Sequence, residues 1–237
     1  MKLIFSLLFL IFSSCAQRIK APVNRMISPE AIGYGLEMEY KQTGVSEGLL
    51  DFTGSRTDNP LKMGQIMNRE FLLGLGVAQR ADIFIRLPEQ STSLLGVKIQ
   101  VLGEPTKARS EGHKLAFTLA IGAERDSFEG TYDVKLKSDA QDFSIIHGYR
   151  PNSWLLLYDS ISLTKYRIQG TIENANPSFS TNEFDYTAEN ILGLQGGIEL
   201  GGSSFKLKLE LAFQRITWSN TDTKNYTSFG YALSAGF

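Results

Sequence analysis

Phe229-Gly-Tyr-Ala-Leu-Ser-Ala-Gly-Phe237 closes the chain. Phe229, Tyr231, Leu233, Ala235 and Phe237 fall on one parity, and Gly230, Ala232, Ser234 and Gly236 on the other. Side chains of a strand alternate between its two faces, so this stretch has one greasy face and one small face. An alternating segment of about 9–11 residues is what a tilted strand needs to cross a bilayer. An α-helix would scatter the same five residues around its axis.

Earlier stretches repeat the pattern. Ile32, Tyr34, Leu36, Met38 and Tyr40 oppose Gly33, Gly35, Glu37 and Glu39 in a first strand over Ala31–Lys41. Alternation predicts further strands over 69–78, 82–87, 94–102, 114–124, 131–149, 154–169, 185–200 and 204–218, with the closing strand making ten. Over 131–149 the apolar parity switches between Tyr132/Val134/Leu136 and Phe143/Ile145, which predicts a bulge near Ser138–Gln141. Gln42–Asn68 and Gly170–Phe184, polar and rich in Gly, Asn and Pro, read as the long loops. Longer connections on one side and short turns on the other suit an even-stranded barrel, with Gly103–His113 the one exception. Eight or twelve strands stay open.

The amphipathic closing strand ending on Phe resembles the C-terminal strand of bacterial outer-membrane β-barrels. In that family Phe229, Tyr231, Leu233 and Phe237 would occupy the positions the barrel-assembly machinery reads. The resemblance implies an all-β, antiparallel, up-and-down transmembrane barrel over 31–237, in the outer membrane of a Gram-negative bacterium, with its lipid as the surrounding partner.

Composition agrees with that class and removes others. Hydrophobic content of 42% and a mean hydropathy of -0.12 fit a chain in which only alternate residues meet lipid. A formal charge of -1 and pI near 6.2 give no basic signature for nucleic acid. The single long apolar run is Leu3–Phe12, behind Met1-Lys2 and ahead of Ser13-Ser14-Cys15-Ala16. It reads as an export signal over 1–14. Phe12-Ser-Ser-Cys15 resembles the lipobox of bacterial lipoproteins, with Phe12 where Leu is usual, and implies diacylglycerol on Cys15. Cleavage after Ala16 is the other reading. Residues 15–30, with two prolines and no sustained period, read as a periplasmic lead-in.

Glu37, Glu39, Arg86, Lys98, Glu199, Lys206, Lys208 and Glu210 fall on the small-residue parity and are expected in the lumen. Opposite charges there can pair and fill a narrow barrel, since charge removed from water needs a partner. The same set could instead line a small pore. Outer-membrane lipid hydrolases share the architecture but need a histidine beside a serine or acid. His113 and His147 have no such sequence neighbour, and His113 is expected in a turn. No Cys/His spacing suggests zinc, and no cofactor motif is present. The function these features support is a structural or surface-exposed outer-membrane protein with a filled lumen. A passive channel for a small solute is the alternative, ahead of a lipid hydrolase or a soluble lipocalin-like barrel, in which the parity would reverse.

Overall fold

The computed structural model describes residues 16–51, 61–89, 91–128, 132–174, 182–219 and 223–237. Among them are eleven strands: β1 Ala16–Pro22, β2 Gly35–Asp51, β3 Leu61–Ala78, β4 Ala81–Pro88, β5 Leu94–Leu102, β6 Gly112–Phe128, β7 Tyr132–Asn152, β8 Leu155–Asn174, β9 Asn182–Gly201, β10 Phe205–Ile216 and β11 Lys224–Gly236. Each strand from β2 to β11 pairs antiparallel with the next, and β11 returns to β2 through Tyr231↔Gln42 to Gly236↔Glu37. Ten strands therefore close an all-β barrel.

One rim, here the turn rim, carries Phe237, the tight turns at 79–80 and 153–154 and the three-residue link at 202–204. The opposite end is the loop rim. The outer face is apolar: Met38, Phe71, Leu95, Leu119, Ile161, Leu211 and Phe229 are each more than half exposed. Inward positions are polar or small, and Lys41, Glu70, Arg86, Glu199 and Lys206 are buried. A water-soluble barrel would have the reverse arrangement.

Several boundaries differ from the alternation reading, for one physical reason. The strands continue past the apolar band toward the loop rim, where the outer face meets water and the pattern inverts. Gln42–Asn68 is thus strand over 42–51 and 61–68, and Gly170–Phe184 is strand over 170–174 and 182–184; residues 52–60 and 175–181 lie outside the described residues. No bulge occurs at Ser138–Gln141, where the register of β7 with β6 and β8 is unbroken. Even-numbered residues of β7 point inward from Val134 to Arg150. Val134 and Ala140 are inward apolar residues near the loop rim, whereas Lys135 and Lys137 there face out. With Tyr166, Ile168, Ala188, Ile191, Ile216 and Trp218, Ala140 builds an apolar cluster inside the upper barrel. Tyr166 and Trp218 meet edge to face at 6.2 Å.

The largest correction concerns residues 16–30. They do not form a lead-in outside the barrel. Residues 16–22 are β1, paired with the loop-rim half of β2 from Ala16↔Asp51 to Pro22↔Val45. The chain then turns into the lumen and descends to the turn rim, where β2 begins. Val23, Asn24, Arg25, Met26, Ile27, Ser28, Glu30, Ala31 and Ile32 are all buried along this path.

Candidate functional site

The occupied lumen is the candidate site, and residues 23–32 are its occupant. This inner segment has no regular hydrogen-bonding partner, so its peptide groups must be satisfied by the wall. Near the top, the Val23 amide donates to the Gly44 carbonyl at 2.9 Å and the Gly44 amide to Asn24 Oδ1 at 3.1 Å. Glu210 of β10 then accepts two successive amides, Arg25 at 2.9 Å on Oε1 and Met26 at 2.8 Å on Oε2. Met26 has a left-handed backbone (φ 50°), a conformation that helps consecutive amides converge on one anion. Lys41 Nζ donates to the Arg25 carbonyl at 2.8 Å, Lys208 Nζ to that of Met26 at 3.3 Å and Lys98 Nζ to that of Glu30 at 2.6 Å. Lower down, the Ala31 amide donates to Gln100 Oε1 at 2.7 Å and the Ile32 amide to both oxygens of Asp82 at 3.0 Å.

The segment's own charges are paired as well. Arg150 donates to both carboxylate oxygens of Glu30, each at 2.7 Å, and to Glu199 at 3.1 Å. Arg25 bridges Asp142 at 3.2 Å and donates to Thr164 Oγ1 at 2.6 Å. Charge-assisted, two-pronged contacts of this kind are the strong ones, and they fix geometry as well as energy.

All eight charges expected in the lumen are buried there, but they do not form one network. Glu37, Glu39, Lys206 and Lys208 cluster: Lys206 bonds Glu37, and Lys208 lies 2.5 Å from Glu39. Arg86 grips Glu70 through two bonds of 2.8 Å, and Lys98 pairs with Asp82 at 3.0 Å. Glu199 turns to Arg150, and Glu210 serves the inner segment. Sequence reading missed Arg25, Glu30, Lys41, Glu70, Asp82, Lys114, Asp142 and Arg150. Alternation puts Arg25 and Glu30 outside the barrel, Lys41 at a strand end, Arg150 in the turn after 131–149, and Asp142 on a strand of disputed parity. Among the described residues eight cations and eight anions are buried, so the lumen has no formal excess of either sign. A cavity of about 20 Å³ remains beside Met26, Ile27 and Ile32, room for about one water.

Inward glycines make the space. A Cβ on Gly76 would lie 1.2 Å from the Gly33 carbonyl oxygen, and one on Gly230 would lie 2.1 Å from Met26 Cε. On Gly148 it would meet the Pro29 ring at 2.7 Å. The glycine-rich face is therefore the mould of the inner segment.

The histidines are placed differently from expectation. His113 lies in β6, not in a turn, and both histidines face outward. His147 does have an acid partner, Asp159, opposite it on β8, with Nδ1 and Oδ1 3.0 Å apart. Cross-strand neighbours are invisible to linear spacing. Among the described residues no group of His, Cys, Asp and Glu is arranged to hold a metal. Phe229 and Leu233 project from β11 on the outer face, Phe237 is exposed just past its end, and Tyr231 shares the outer face and bonds Gln42 through its hydroxyl at 2.5 Å. Cys15 lies outside the described residues.

Ten strands closed on themselves, apolar without and charged within, define a β-barrel of the outer-membrane type. No family model matches the sequence, and no curated protein matches it. Among solved structures the chain is similar to Ail, the attachment invasion locus protein of Yersinia pestis, at 11% identity and a TM-score of 0.38, over 85% of this chain and 95% of that one. Ail in complex with the heparin analogue sucrose octasulfate aligns at 10% identity and a TM-score of 0.38, with the same coverage.

Proposed function

We propose that this is an exported Gram-negative outer-membrane protein with a structural or surface-exposed role, whose lumen is closed by its own N-terminal segment. The turn rim would face the periplasm and the loop rim the cell surface, following the usual length rule for barrel connections. The observation that carries this reading is residues 23–32 seated in the lumen, with their amides and carbonyls bound by wall charges. A protein built to pass solutes would leave those charges to water. The lipid expected on Cys15 belongs to the same proposal, on the loop-rim side where Ala16 pairs with Asp51. Outer-membrane lipid surrounds the barrel, and the assembly machinery would read the β11 row during insertion. Planar-bilayer recording tests the reading. Pure protein is expected to give no steady conductance; salt-proportional steps from the wild-type chain would favour passive passage of a small solute instead.

A further inference from the structure

Along the outer face of the described residues, acids, lysines and arginines gather toward the rims, with one exception. Asp159 on β8 has Leu155 and Leu157 on one side and Ile161 and Leu163 on the other, all on its own face. Among the described residues no other outward-facing acid, lysine or arginine is flanked by two apolar residues on each side. Opposite it stands His147, itself between Ile145 and Tyr149, and His113 Nδ1 lies 3.1 Å from His147 Nε2. On its other side Asp159 faces Gly196, an outward position where a Cβ would meet nothing within 4 Å. The outer wall therefore carries a hydrogen-bonded polar row that starts at His113, near the turn-rim end of β6, and ends in a notch beside Asp159 within the apolar band. Hydrocarbon cannot solvate such a group, and polar side chains at that depth ordinarily face protein. The flanking Leu and Ile also separate Asp159 from lipid headgroups.

We propose that this face of β7 and β8 docks a second copy of the chain, side by side in the membrane. The lateral order supplies the argument: base on β7 and acid on β8, partners in the sheet register. A two-fold axis along the membrane normal sets β7 of one copy against β8 of the other, so His147 of each meets Asp159 of its neighbour. The patch is complementary to itself, as a closed two-fold interface requires. The notch at Gly196 lets the backbones approach, as small residues do between membrane helices.

The inference rests on the barrel lying in a bilayer. A chain that stays in solution without detergent would fail that reading; a monomer inside the bilayer would fail only this one. The test is energy transfer between donor- and acceptor-labelled copies, tagged through Ser203→Cys in a Cys15→Ser background and diluted with phospholipid in vesicles. Wild-type copies are expected to associate as dimers. His147→Leu/Asp159→Leu should weaken association about tenfold while unfolding no more easily than wild type, because leucine suits hydrocarbon. If that pair does not fold, His147→Gln/Asp159→Asn serves with the same expected loss. A wild-type monomer, whether bare, lipid-bound or held by another membrane protein, overturns the proposal. So does association that the substitutions leave unchanged.

Discussion

Glu30 shows at the scale of one residue how the inner segment is held. Its carboxylate is buried and bound at both oxygens by Arg150, which also reaches Glu199. Removing one partner of a buried pair strands the other charge, at a cost of about 3–5 kcal/mol. Arg150→Ala should therefore destabilise the barrel by about that much, read by urea unfolding in detergent or vesicles. Glu30→Gln, which keeps one acceptor and removes one charge, should cost less. The inward glycines give a second expectation. Gly76→Ala sets a methyl against the Gly33 carbonyl, an overpacking worth about 1–3 kcal/mol in the same assay. Gly202→Ala, with open space around it, is expected to change nothing measurable.

The elements divide by what alternation can report. Within the apolar band, hydrophobicity and facing direction agree, and the bodies of β3, β5, β6, β10 and β11 were legible in the sequence. Toward the loop rim both faces change environment. The outer one meets water and the inner one packs around Tyr166 and Trp218, so the same strand reads as polar loop or broken parity. That is why β7 suggested a bulge it lacks and why β2 and β3 came out short. The lumen charges on central strands were readable for the same reason. The inner segment was not, because it has neither period: its peptide groups are satisfied by distant side chains such as Glu210, Asp82 and Gln100, which no local pattern announces. Treating it as a separable element gives a direct expectation. Deleting residues 23–32 leaves Glu210, Asp82, Lys41 and Lys98 without their backbone partners and empties the centre of the barrel. The truncated protein should unfold at lower urea than wild type and conduct ions in planar bilayers where wild type does not. An equally silent truncated barrel would mean that wall side chains alone close the lumen.

For the whole molecule the consequence is one of sidedness. A barrel with an even number of strands has both barrel ends on one side, yet here the residues preceding β2 return through the lumen to the opposite rim. An epitope inserted after Gln17 should be reached by antibody on intact cells, whereas one inserted at Ser203 should be reached only after the outer membrane is permeabilised. The reverse pattern would mean that the segment does not thread. All of this depends on the greasy rows meeting hydrocarbon and the charged rows being enclosed, and tryptophan quenching by brominated acyl chains tests that most directly. In a Trp154→Phe background, Leu211→Trp adds a reporter on the outer face, while native Trp218 is buried inside the upper barrel. The outer reporter is expected to be strongly quenched by bilayer-centre bromine and Trp218 to be spared. Quenching of Trp218 with a spared reporter at 211 would contradict the account.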